Sequence, residues 1–301
     1  MRVFFTISLG VLLTTAPLWA NNADPELDPA DIVVPAGPTA WGRFEIGPEL
    51  FYYAYEEPGV MEMDGWLYGV DARFSWYHPR LRRIERASDE PDAPPEITVR
   101  HEKIIFMAQG RYAQGETDYD GALMDGTPYK VSGIDATTYE FRLLAGYAPF
   151  VTETSYTAFY LGFGYRYKDD DASFDPAGYK RESTYRYIPV ALRHHREQAH
   201  GRYWTFSLEY DFFLSGEQVS DLRPFGGPRL RNTQNDGFGL RAAVALSGTT
   251  AQFGWTIEPF IRYWDIDDSE IVFVRAADGV AAFLEPENDT LEAGLSVRLV
   301  F

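Results

Sequence analysis

Leu291-Glu292-Ala293-Gly294-Leu295-Ser296-Val297-Arg298-Leu299-Val300-Phe301 ends the chain, and its side chains divide by parity. Successive side chains of an extended strand point to opposite faces, so Leu291, Ala293, Leu295, Val297, Leu299 and Phe301 share one face. Glu292, Gly294, Ser296 and Arg298 share the other. One face is hydrocarbon and the other carries charge. A period of two excludes a helix here, because a helical face repeats every three to four residues.

The same alternation recurs upstream in nine further segments. In residues 43–55, Phe44, Ile46, Leu50, Tyr52 and Ala54 oppose Arg43, Glu45, Glu49, Phe51, Tyr53 and Tyr55. In 66–76, Trp66, Tyr68, Val70, Ala72, Phe74 and Trp76 oppose Gly69, Asp71, Arg73 and Ser75. Segments at 106–112, 139–147, 159–166, 204–212, 238–246 and 253–263 repeat the pattern, each with an apolar face against one bearing Arg, Glu, Asp or Gly. Residues 184–193 form a further strand whose mixed pattern leaves its facing open. The count is ten, and the fold class is all-β.

Composition narrows the setting. The 301 residues carry a formal charge of −18, 16% aromatics and no Cys. That charge argues against nucleic acid, whose phosphates need concentrated Lys and Arg. Zero Cys removes disulfides, thiolate zinc sites and cysteine nucleophiles. At the N-terminus, Met1-Arg2, an apolar stretch from Val3 to Leu18 and the small Ala20 read as a secretory signal peptide over residues 1–20. Residues 21–40 follow as an acidic, Pro-rich periplasmic tail, and 41–301 hold the strands.

A soluble sandwich also alternates, but three features favour a membrane. The apolar faces carry Trp and Tyr toward strand ends, as interfacial girdles do. The polar faces mix acids with bases, suiting a lumen filled by paired side chains. Connections alternate in length, short at 148–154, 194–201 and 247–251, and long at 115–137, 168–183, 215–237 and 265–289. Lipid supplies no hydrogen-bond partners, so an exported chain without a helical span must close its strands on one another. The expectation is an antiparallel up-and-down transmembrane β-barrel of about ten strands, with both termini in the periplasm. The connection at 79–101, with Arg80, Arg82, Arg83 and Arg86, breaks the length rule. It reads as a long periplasmic loop or as a hairpin extending its two strands.

On these residues the chain resembles Gram-negative outer-membrane β-barrels. It joins a signal peptide to alternating strands and ends in Leu295-Ser296-Val297-Arg298-Leu299-Val300-Phe301, similar to the signal read by the barrel-assembly machinery. The resemblance implies the outer membrane as location, outer-membrane lipid and lipopolysaccharide as neighbours, assembly through Phe301 and a monomer. Strand number and length also resemble the omptin surface proteases, whose pattern requires Asp-His and Asp-Asp pairs at the outer rim. The five histidines, His78, His101, His194, His195 and His200, instead fall in or beside expected periplasmic turns. No Gly-x-Ser-x-Gly elbow occurs either. The chain is therefore expected not to be an enzyme.

Charge concentrates in the connections expected to face outward: residues 56–65, 115–137, 168–183, 215–237 and 265–289 together carry −17. Solvated loops kept soluble by acid account for this. Clustered carboxylate oxygens would also suit Ca²⁺ or Mg²⁺, and the candidate ligands are Asp169 and Asp171, beside Asp170 and Asp175, and Asp265, Asp267, Asp268 and Glu270. Neither cluster has EF-hand spacing, and no other cofactor is indicated. Asp278-Gly279 is a two-residue turn signal, making 271–284 a hairpin whose Ile271, Phe273, Val280 and Phe283 offer an apolar surface. Glu209 and Asp211, two apart on one face, are expected to brace Arg residues on adjacent strands. The role expected is structural or surface interaction through acidic loops, with a narrow cation or small-solute channel and a surface hydrolase as alternatives.

Overall fold

The computed structural model describes residues 40–86, 96–123, 126–250, 252–276 and 279–301. The expected signal peptide and nearly all of the expected tail lie outside these residues. The strands are β1 (Trp41–Glu57), β2 (Met61–Arg86), β3 (Glu96–Ala122), β4 (Pro128–Val151), β5 (Ser155–Asp171), β6 (Lys180–Gln198) and β7 (Arg202–Asp221). They continue with β8 (Arg229–Gln234), β9 (Gly237–Thr249), β10 (Gly254–Ile266), β11 (Val272–Ala276), β12 (Gly279–Phe283) and β13 (Asn288–Val300).

Ten of these close an antiparallel barrel in the order β6-β5-β4-β3-β2-β1-β13-β10-β9-β7, with β7 returning to β6. Every expected strand is present. β8 pairs with the upper part of β7, Gly216↔Gln234 to Asp221↔Arg229, while β9 takes the lower part, Tyr203↔Ser247 to Phe212↔Phe238. Residues 215–237 are thus largely a hairpin rather than a loop. β11 and β12 form their own two-stranded sheet around the expected turn.

Facing follows the alternation. On β2, Trp66, Tyr68, Val70, Phe74 and the residues in phase with them point outward, while Leu67, Asp71 and Ser75 are buried. From Trp66 to Trp76 are ten residue steps, and at ~3.3 Å each with a tilt of ~40–45° they span roughly 25 Å, the height of a membrane barrel's apolar band. β6 is assigned by burial, with Tyr185, Tyr187, Ala191 and Arg193 inside and Val190 and Leu192 outside.

Two ends are distinguishable. One holds the start of β1 at Trp41, the end of β13 with Phe301 and the turns between β4 and β5, β6 and β7, and β9 and β10; the other holds the connections that follow β1, β3, β5, β7 and β10. We call them the terminal end and the loop end. At the terminal end β2 and β3 run on as a two-stranded arm, His78↔Ile104 to Arg86↔Glu96, beyond the last β1 pairing at Trp41↔Tyr77. Of the two readings of 79–101 the hairpin extension holds, its tip lying outside the described residues.

The seam joins β1 to β13, with Glu45↔Val300 through Glu56↔Asp289 in register. Phe301 completes it: its N–H donates to the Phe44 carbonyl at 2.8 Å, and Phe44 N–H returns to the Phe301 carbonyl at 3.1 Å. Gly47 is required here, since a Cβ on it would stand 1.9 Å from the Val297 carbonyl oxygen.

Candidate functional site

The barrel interior is filled mainly by ion pairs, and their connectivity follows the strand register. Five guanidiniums and five carboxylates, those of Arg111, Arg142, Arg166, Arg241, Arg262, Glu49, Glu140, Glu209, Asp211 and Glu292, form one connected cluster at mid-height. Glu292 on β13 accepts from Arg111 at 2.7 Å, Arg166 at 2.8 Å and Arg262 at 3.1 Å. Glu49 accepts from Arg111 at 2.9 Å and Arg262 at 3.1 Å. The expected bracing role of Glu209 and Asp211 is present, Arg241 Nε lying 2.5 Å from Asp211 and 3.2 Å from Glu209.

Toward the terminal end a second cluster sets three guanidiniums, Arg43, Arg73 and Arg298, against Glu45, Asp71 and Glu258. Arg298 holds it together, donating to Asp71 at 2.8 Å, Glu258 at 2.7 Å and Glu45 at 3.1 Å. Gln109 bridges the clusters, donating to Asp71 at 2.7 Å and accepting from Arg142 at 3.1 Å. Each cluster balances its charge, which is what burial of this many ions demands, since an unpaired ion in low dielectric costs several kcal/mol. The gaps beside them are small. Cavities of about 10 Å³ beside Arg166 and about 50 Å³ beside Arg193 admit from one to a few waters.

Above the ion pairs the character of the interior changes. At the loop end, inward positions that carry charge lower down are apolar: Met61 and Met63 on β2, Val131 and Ile134 on β4. With Tyr119 on β3, Tyr129 on β4 and Phe225 in the 222–228 connection they line a half-open cavity of about 540 Å³, which we call the vestibule. Its floor is polar but paired. Lys168 holds Asp170, and Arg181 donates to Glu57 at 2.6 Å, to Tyr55 Oη at 3.3 Å and to Glu285.

Two connections are fastened at this end. In 172–179, Asp175 accepts from Ala177 N–H at 2.8 Å and from Tyr129 Oη at 2.7 Å, which hold its carboxyl below the ordinary range. In 267–287, Ser269 N–H donates to the Glu285 carbonyl and Glu285 N–H to Ser269 Oγ, both at 2.9 Å, while Asn232 Nδ2 on β8 donates to Ser269 Oγ at 3.1 Å. Burial pushes the Glu285 carboxyl up to about 7, with neighbouring Glu57 adding to the rise and Arg181 opposing it. Two carboxylates thus share one guanidinium at the vestibule floor.

The candidate ion ligands are placed as follows. Asp169 pairs with Lys180 at 2.7 Å, and Asp171 accepts from Ser173 N–H at 3.0 Å. Asp265, Asp267, Asp268 and Glu270 lie along the far side of the mouth, where Glu270 accepts from Asn235 Nδ2 at 3.3 Å. Among the described residues no three Asp, Glu or His side chains are gathered where they would share an ion. Lys180 thus takes one oxygen of Asp169, a main-chain N–H one of Asp171 and a side-chain amide one of Glu270. The histidines keep to the terminal end: His78 and His101 sit on the arm, His194 lies 2.9 Å from Thr157 and His195 3.1 Å from Thr205, and His200 is in the 199–201 turn.

The vestibule escaped the sequence reading because an apolar residue inside a barrel breaks the rule used to assign faces. The signal was present. Met61 and Met63 share parity with Asp71 and Arg73, which already marked the inward face.

No protein-family model matches the chain, and no curated protein does. Among solved structures, the outer membrane protease OmpT from Escherichia coli matches with a TM-score of 0.50 and 9% identity, over 89% of this chain and 98% of that one. Ail, the attachment invasion locus protein of Yersinia pestis, matches with a TM-score of 0.27 and 11% identity, over 85% and 98%. The Pseudomonas putida toluene transporter TodX gives 0.28 and 8%, over 88% and 90%. The first likeness is one of fold alone, and the other two add no argument. Fold and apolar belt together make the chain an outer-membrane β-barrel.

Proposed function

We propose that this barrel is closed to solutes and serves a structural or surface-interaction role at its loop end, which faces outward with the termini in the periplasm. The observation that carries the reading is the balanced mid-height cluster. Arg166 on β5 reaches Glu292 on β13, Arg241 on β9 reaches Glu140 on β4 and Arg142 on β4 reaches Glu209 on β7, so the pairs span the lumen, and the gap beside Arg166 is water-sized. A cation crossing here would have to displace guanidiniums that are already neutralised, losing several charge-assisted bonds at once. The reading also favours a monomer, assembled through Phe301 and surrounded by lipid and lipopolysaccharide.

A hydrolase that relied on histidine would carry its imidazoles at the end opposite the acidic mouth, which disfavours that alternative. Single-channel recording in planar bilayers tests the proposal. Purified barrel is expected to give no resolved conductance steps in 1 M KCl, and regular steps that disappear with heat-denatured protein would refute it.

A further inference from the structure

We propose that the vestibule binds one small, neutral, ring-bearing molecule taken up from the aqueous phase. The volume is the first argument. The gap at the floor beside Arg166 is about 10 Å³ and the one lower down beside Arg193 about 50 Å³, against about 540 Å³ in the vestibule of the same barrel. It lies in the range of small-molecule sites, which combine apolar walls with a few fixed polar groups.

The lining sets the chemistry. Met61 and Met63 present polarisable thioethers from one wall, and sulfur packs well against ring edges. Tyr119, the cross-strand neighbour of Met63, and Tyr129 on β4 continue that wall, with ring centroids 5.6 Å apart and planes at 54°, an arrangement that offers an edge and a face to a third ring. Val131 and Ile134 complete an aliphatic side.

Charge selects against ions. The charged groups of the lining are Asp170 and Arg181, and each is already held by a partner, Lys168 for the first and Glu57 with Glu285 for the second. A cation or an anion would therefore enter an apolar space without a counter-charge and lose its hydration. A neutral ring loses little and gains the walls. The half-exposed Phe225 stands at the rim, on the route from solvent. This rests on the closed lumen proposed above, because the floor must stay shut, but the two fail separately: conductance reads one and binding the other.

The test uses the full mature chain in lipid nanodiscs and 4-fluorotoluene as probe, followed by ¹⁹F NMR, with empty nanodiscs as the partition reference. Expected is a saturable resonance at one probe per barrel, absent from empty nanodiscs. Ala177→Trp, which projects a ring into the space, and Phe225→Asp, which alters only an exposed rim residue, should each weaken binding at least tenfold. 4-Fluorobenzoate should bind at least tenfold more weakly than the neutral probe. Both variants must retain the heat-modifiable mobility of the parent on gels, and should Ala177→Trp fail to do so, Phe225→Asp alone decides. A signal that only follows lipid content, equal affinity in the folded variants, or equal affinity for the benzoate would overturn the proposal. So would an acyl chain found by mass spectrometry of the ejected barrel and not displaced by the probe, since the occupant would then be lipid.

Discussion

Glu292→Gln is the sharpest probe of the plug. The residue is 1% exposed and accepts from three guanidiniums, but these do not depend on it equally. Arg111 and Arg262 keep Glu49, whereas Arg166 has Glu292 as its ion-pair partner, with its Nε and Nη1 otherwise unbonded. The substitution keeps the shape and leaves Arg166 as an uncompensated buried cation. One pair at close range is worth ~4 kcal/mol at an effective dielectric of 20, and removing one partner of a buried pair costs roughly 3–5 kcal/mol in practice. The expected loss in Glu292→Gln is therefore about 3–5 kcal/mol. Urea unfolding in lipid vesicles, followed by tryptophan fluorescence and gel mobility, gives the value. Arg166→Met in the same chain removes the stranded charge, so the double variant should be more stable than Glu292→Gln alone, with a coupling above ~0.5 kcal/mol. A single variant within about 0.5 kcal/mol of the parent, or strictly additive losses, would show that the ion pairs do not hold the lumen.

Two further outcomes follow from other parts of the barrel. Glu285 has its carboxyl raised to about 7 from an ordinary 4.5, so the docked 267–287 connection favours the protonated form. Its hold is full below about 4.5 and weakens as pH rises through about 7. Protease cleavage in this connection should accelerate from pH 5 to pH 8, Glu285→Gln should remove the dependence, and a flat profile in the parent would contradict the shared-guanidinium geometry. Leu295→Arg places a charge on the lipid face near mid-belt, opposite Leu50, and should cost ~2–4 kcal/mol. Phe273→Arg, on the exposed β11–β12 ribbon, should stay within ~0.5 kcal/mol, and equal costs at the two positions would sink the assignment of the belt.

Much of this architecture was legible because lipid enforces parity. Where a strand crosses the belt, a misplaced charge is expensive, and nine of the ten crossings, such as Trp66 to Trp76, read cleanly. Beyond the belt that pressure stops. β2 and β3 continue to Arg86 and from Glu96 in water, held by their own ladder, and β7 runs on to Asp221 against β8 with polar residues on both sides. β6 was ambiguous because Arg186 points outward above the belt while Arg193 points inward, so charge marks neither face. At the mouth, spacing alone suggested an ion site at Asp169 and Asp171. Pairing across β5 and β6 brings Lys180 to Asp169, a contact between segments that the local run does not announce. The vestibule needs several strands at once, and its walls appear only when β2, β3 and β4 are laid side by side.

The seam sets the timing of assembly. Because β1 is zipped to β13, the first strand of the barrel waits for the thirteenth, and its free edge has no native neighbour until β13 is made. Export must therefore deliver the whole polypeptide unfolded and shielded before closure can begin. Loss of β13 would leave an open sheet with two raw margins, a substrate for quality-control proteases rather than a shorter barrel.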